Sequence, residues 1–252
     1  AWDGRWYLRA FTDEGAAIGA AENSECRIDS LPQSWAVLSG AGEPGRARAA
    51  MDAVDLQLVR RGRGLVQLFD PPFDHTPLDP GYIRGYPPGV RENGGQYTHA
   101  AVWVAMAFAR LGDAERAWEI TRLLDPVRRG GDAERLATSK AEPYVIAADV
   151  YGVPPHTGRS GWTWYTGSAG WMYRLLIEEL FGLRKTGDRL FVTPCLAKDM
   201  DGFTCTWRHG AATYVITVAR GAQATRVDGQ DVPDHAIPLV DDGREHAVEV
   251  WR

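Results

Sequence analysis

Residues 100–111, AAVWVAMAFARL, decide the fold. They are apolar nearly all round, so the helix they form is expected to be buried on most sides. Asp113 then caps a second helix, in which Ala117, Ile120 and Leu124 share one face. Working outward, PQSWAVLSGA (32–41) reads as a helix with proline in its first turn, ending near Gly42. Pro44 leads another, with Ala47, Ala50, Met51, Val54 and Leu58 at three-to-four spacing. On the far side, GSAGWMYRLLIEELFGL (167–183) is helical again. Helical hairpins joined by alternating long and short loops predict an α/α toroid, here incomplete.

After about Gly187 the period changes to two. FTCTWRHG (203–210) and AATYVITVAR (211–220) read as a hairpin, and RVDGQDV (226–232) and EHAVEVWR (245–252) as further strands. The chain is therefore expected to be mainly α with a β tail, divided into a helical domain over residues 1–186 and a β-module over residues 187–252. Residues 1–31 read as short-stranded or irregular. Residues 62–99 are dense in glycine and proline, and an ordered loop of that length is usually functional.

Composition excludes several classes. The 252 residues are 44% hydrophobic and 24% charged, an ordinary globular balance that can bury a real core. A net charge of -5 argues against a nucleic-acid or anionic-membrane surface. Three cysteines (Cys26, Cys195, Cys205) lack the spacing of a zinc site or a disulfide framework, which fits a reducing cytoplasm. No apolar run approaches the roughly 20 residues of a spanning helix. Ten tryptophans are about three times the usual share. Trp2, Trp6, Trp162 and Trp164 lie beside Gly, Tyr and polar residues, as core aromatics or as partners for flat sugar faces. There is no initiator Met, and the opening AWDGRWYLRAF reads as the middle of a longer protein.

Chemistry gathers at two helix starts. In RENGGQYTHAA (91–101), Gly94 and Gly95 allow close backbone approach and His99 opens the buried helix. A helix N-terminus offers free N–H groups and a positive dipole end to an anion. A lone histidine there serves equally well as a capping or core residue. GWTWYTGSAGW (161–171) repeats the arrangement, with Thr166 and Gly167 opening a helix. If the two starts converge, they form a phosphate cradle without a Walker-type loop. Nearby carboxylates are Asp79, Glu92, Glu142 and Asp149, and Arg84, Arg91 and Arg159 could balance an anion or simply be solvated. Hydrolysis of a glycoside needs two carboxylates. Phosphorolysis needs one acid, because phosphate arrives already anionic.

ENSECRIDSLPQSW (22–35), PPGVRENGGQYTHAAVW (87–103), EPYVIAADVY (142–151) and GWTWYTGSAGWMYR (161–174) together resemble the inverting cellobiose/chitobiose phosphorylase family. CRIDSLPQSW (26–35) and DPPFDHTPLDPGYIRGYPPG (70–89) look nearer to the phosphorylase-like module of cyclic β-1,2-glucan synthases. A free β-1,2-oligoglucan phosphorylase is the neighbouring possibility. The resemblance implies the C-terminal part of an (α/α)6 barrel followed by a small antiparallel β-sandwich module. It implies that His99, Thr166 and Gly167 hold phosphate, and it puts Tyr86 and Arg91 on the acceptor side. Asn93, Gly94 and Gly95 would shape that loop rather than react. The family's general acid, an Asp in a Trp-Asn-Asp type motif, has no counterpart in these residues, so no catalytic residue is expected in this segment.

The expected activity is inverting phosphorolysis of a β-glucan, with inorganic phosphate as co-substrate and no metal or organic cofactor. Expected partners are a β-glucan or glucooligosaccharide, phosphate and the upstream half of the same polypeptide, with no nucleic acid and no direct membrane contact. The location implied is cytoplasmic, including the cytoplasmic part of an inner-membrane synthase. A glycoside hydrolase on the same barrel and a non-catalytic glucan-binding module are the rival readings.

Overall fold

The computed structural model describes all residues from 1 to 252. The chain forms two compact units, Ala1–Leu175 and Leu176–Arg252. The change of sequence period comes later than this division. Leu183, with Ile177 and Phe181 packed against it, already belongs to the apolar core of the second unit.

The first unit is built on five longer helices: α1 (Ser30–Leu38), α2 (Pro44–Leu58), α3 (Thr98–Arg110), α4 (Ala114–Leu124) and, after two short ones, α5 (Pro126–Arg129) and α6 (Ala133–Ser139), α7 (Thr166–Arg174). α3 is the central member and packs against α1, α4 and α7. Its apolar circumference explains this: Ala100, Ala101, Val102, Val104, Ala105, Met106, Ala107 and Phe108 are all buried. α4 is amphipathic instead and buries Ala117, Ile120, Thr121 and Leu124 along one stripe. α2 buries Ala47, Ala50, Met51, Val54 and Leu58 in the same manner.

The starts of these helices are fixed by acceptors for their free N–H groups. Asp29 accepts from Leu31 at 2.7 Å, Glu43 from Gly45 at 2.9 Å and Arg46 at 2.8 Å, and Asp113 from Arg116 at 3.2 Å. α1 starts at Ser30, two residues before the expected proline, and ends at Leu38 rather than near Gly42. The Asp29 cap sets the first boundary, and the ladder hydrogen bonds run out at the second.

This unit is not purely helical. Two-residue strands pair Ala10–Phe11 with Ala17–Ile18, Ile28–Asp29 with Phe69–Asp70, Val59–Arg60 with Leu65–Val66, and Gln96–Tyr97 with Asp149–Val150. The chain is thus mixed α and β rather than mainly α, and the expected long loop 62–99 carries three of these strands. The Asp149–Val150 pairing lies directly before α3 and so fixes how that helix is entered.

In the second unit, strands Leu183–Thr186, Arg189–Val192 and Ala236–Pro238 form an antiparallel sheet. A second sheet runs in the order Gly202–His209, Ala212–Ala219, Glu245–Trp251, Ala224–Val227, Gln230–Asp231. The expected hairpin is present, Gly202–His209 pairing with Ala212–Ala219. The module is not antiparallel throughout, because Glu245–Trp251 runs parallel to Ala212–Ala219. The long connection between those strands is what permits a parallel return, which a tight turn cannot make. Alternation aims Tyr214, Ile216, Val218, Val248 and Val250 into one core with Leu190, Val192 and Ile237 from the other sheet.

Candidate functional site

α3 and α7 share an unusual start. Their N-cap residues are Tyr97 and Tyr165, and neither side chain caps its helix. Neither helix start has the side-chain acceptor found at α1, α2 and α4, although the Thr98 N–H of α3 is taken by the Ala148 carbonyl at 2.9 Å. His99 stands in the first turn of α3, stacked on Tyr97 with centroids 5.3 Å apart. It meets Tyr165 edge-on at 5.7 Å and Trp103 at 6.1 Å. A Cβ on Gly167 would lie 2.6 Å from its Nε2, so the imidazole occupies the space that a side chain at 167 would need. The structure therefore brings His99 and Gly167 together across the two helix starts, and Thr166 lies beside them, exposed.

Burial alone pushes the His99 imidazole below its ordinary value, so the ring is neutral at pH 7. Its Nδ1 is buried and meets no acceptor. A neutral imidazole with Nε2 at two uncapped helix starts can donate one hydrogen bond to an oxyanion. The N–H groups at the start of α7, where Thr166 is exposed, can donate others.

The second pair of expected residues is also brought together. The Arg91 guanidinium lies over the Tyr86 ring at 5.6 Å and the Trp162 ring at 4.7 Å. Arg91 is itself held in the left-handed region, φ 50°. Its side chain pairs with Glu92 at 3.4 Å. Aromatic contacts join this pair to the first, since Trp162 is 6.5 Å from Tyr165, which meets His99. Asn93 spends its side chain on the main chain of the loop, donating to Phe73 and Tyr86 carbonyls and accepting from the Phe73 N–H, each at 2.8 Å. At Gly94, φ is 73° and a Cβ would come within 2.7 Å of Pro72, so the turn requires glycine.

The remaining charged candidates separate, except Asp149, whose carboxyl group accepts from the Arg91 N–H at 3.2 Å. Asp79 accepts from the Gly81 N–H, and Glu142 accepts from the Trp164 indole at 2.9 Å. Arg159 stacks on Tyr151 at 5.9 Å, and Arg84 is exposed. Asp149 is fully buried. No group of three or more His, Cys, Asp or Glu converges as metal ligands. No helix is long and apolar enough to cross a membrane. Sequence reasoning passed over Tyr165 and Trp103, which wall His99. The signal was a repeated Tyr-Thr dipeptide, 97–98 and 165–166, standing where a polar cap normally precedes a helix.

Known proteins resemble the chain along most of its length. It is 49% identical over 223 residues to the cyclic beta-(1,2)-glucan synthase NdvB of Rhizobium meliloti (strain 1021), covering 88% of this chain and 8% of that protein. It is 34% identical to an N,N'-diacetylchitobiose phosphorylase of Vibrio furnissii, covering 99% of this chain and 31% of the relative. It is 29% identical to a solabiose phosphorylase of Paenibacillus borealis, covering 99% and 33%. The chain thus spans a third or less of the length of these relatives. The "Glycosyl hydrolase 94 superfamily, catalytic domain" matches residues 1–182, most of the chain and all of the residues just described, and the chain belongs to that family.

Proposed function

We propose that the chain is the C-terminal part of an inverting glycoside phosphorylase domain acting on β-glucan, with β-1,2-linked chains as substrate. The observation that carries this reading is the approach of His99 Nε2 to Gly167 at two helix starts without side-chain caps. In this reading His99, Thr166 and Gly167 hold inorganic phosphate, while Tyr86 and Arg91 line the acceptor side. The similarity to a cyclic beta-(1,2)-glucan synthase supports the linkage.

The first unit would complete an (α/α)6 barrel with the upstream half of the polypeptide, and the second unit would be its β-sandwich module. A phosphate oxygen attacks the anomeric carbon from the face opposite the leaving oxygen. As the glycosidic C–O bond breaks, a carboxylic acid from the upstream half protonates the departing oxygen. The product is an α-sugar 1-phosphate and a glucan shortened by one residue. No cofactor enters the scheme, and a cytoplasmic setting suits a phosphate-consuming enzyme with three free cysteines.

The test is product analysis with the intact polypeptide. β-1,2-glucooligosaccharides should yield sugar 1-phosphate only when phosphate is present. Free reducing glucose released without phosphate would identify a hydrolase. Glucan binding without turnover would identify a binding module.

A further inference from the structure

Three segments meet at one buried carboxyl group. Asp149 is 1% exposed and lies in the strand paired with Gln96–Tyr97, the entry to α3. Its Oδ2 accepts from the main-chain N–H of Arg91 at 3.2 Å, and its Oδ1 is buried without a hydrogen-bond partner. Its main-chain oxygen accepts from Gly161 at 2.8 Å, and the preceding Ala148 N–H donates to Trp162 at 2.7 Å. The Ala148 oxygen in turn accepts from the Thr98 N–H at 2.9 Å, one residue before His99. Gly161 packs so closely on the carboxylate that a Cβ there would overlap its atoms.

This arrangement is expensive. A buried carboxylate is desolvated, and a non-glycine residue at φ 50° carries backbone strain. Strain of this kind persists where the surroundings over-determine it. Here the Arg91 N–H is tied to Asp149 while its guanidinium is held between the Tyr86 and Trp162 rings. The charged groups facing the Asp149 carboxyl are Arg91 and Glu92. Burial pushes its titration up, and the Arg91 charge and N–H pull it back.

We propose that Asp149 is a positioning residue that couples the acceptor side of the site to its anion side. Its carboxyl group anchors the main chain at Arg91, with Gly161 packed against it, and so sets the Arg91 guanidinium at a fixed place relative to His99 and Gly167. It touches no substrate. The proposal rests on the acceptor-side reading of Tyr86 and Arg91 given above.

The test uses the intact phosphorylase and two independent disruptions, Asp149→Ala and Gly161→Ala, the second evicting a carboxylate that is still chemically present. In the synthetic direction, with sugar 1-phosphate as donor, both should raise KM for the glucan acceptor about 10-fold. KM for phosphate in phosphorolysis should stay within about 2-fold. These figures take the lost bonds as ordinary charged hydrogen bonds. Asp149→Asn, which keeps an acceptor oxygen for Arg91, should recover most of the loss. Equal rises for acceptor and phosphate together with a lower Tm, or no change in either KM, would overturn the coupling. Absence of phosphate-dependent turnover in the unmutated enzyme would overturn the phosphorylase reading instead. In that event amide exchange at residues 90–92 still reads the anchor. Faster exchange there in Asp149→Ala supports it, and unchanged exchange overturns it.

Discussion

His99 Nε2 stands where a side chain on Gly167 would have to begin, 2.6 Å from the position of its Cβ. The two residues belong to different helices, α3 and α7, and each occupies the first turn of its own. The imidazole has little freedom to retreat, because Tyr97, Tyr165 and Trp103 surround it.

In the intact enzyme, His99→Ala should lower kcat/KM for phosphate by about 10- to 200-fold, the value of one charge-assisted hydrogen bond of roughly 1.5–3 kcal/mol. Thr166→Ala should do the same to a smaller degree, because the Gly167 N–H and the helix dipole remain. Glucan affinity measured without phosphate should hardly change. Equal loss for both substrates with a lowered Tm would make His99 a packing residue.

The 252-residue chain by itself should release no sugar 1-phosphate from β-1,2-glucooligosaccharides. Loss of general acid catalysis alone costs about 10²–10⁴-fold. Turnover comparable to an intact phosphorylase would put the acid inside this chain, with Glu92 and Glu142 as the candidates.

Titration of His99 by NMR should give a midpoint below the ordinary 6.5, since burial is the sole cause of its shift. Added sulfate should raise that midpoint, because a bound anion favours the imidazolium. A midpoint indifferent to sulfate would argue against an oxyanion at Nε2.

The second unit should show its own pH dependence. His246 bonds Asp228 at 2.8 Å and Asp242 at 3.2 Å, and these partners raise it above its ordinary 6.5. That contribution is complete below 6.5 and fades as pH rises through the raised value. Both aspartates are held below their ordinary 3.8, so their share is present above 3.8 and fades as pH falls through the lowered values. The clamp is strongest between those limits. Calorimetry should find that His246→Asn flattens the decline in the Tm of this unit above neutral pH.

Two ion pairs should differ sharply in worth. Asp29 is fully buried against Arg9, and Asp29→Ala should cost about 3–5 kcal/mol in chemical denaturation by leaving a largely buried cation without its partner, together with the cap of α1. Arg226 and Asp231 are 46% and 79% exposed, and Asp231→Ala should cost under about 1 kcal/mol. Similar losses would mean that Arg9 finds water when Asp29 is gone.

Elements whose signal is local were legible in the residues. The all-round apolar pattern of 100–111 marked a buried helix, and alternation in 203–219 marked a hairpin, because side-chain spacing alone carries both facts. The parallel placement of Glu245–Trp251 was not legible, since nothing in a strand's own residues names its neighbour. The same distinction governs the site. His99 and Thr166–Gly167 could be named as helix starts from the sequence, and Tyr86 and Arg91 from a family likeness. That a neutral imidazole would lie against Gly167, and that Arg91, Trp162 and the entry to α3 would be tied through Asp149, depended on tertiary structure. Such contacts join segments far apart in the chain, and only the packing of α3 against α7 and the Gln96–Tyr97 ladder brings them within hydrogen-bonding reach.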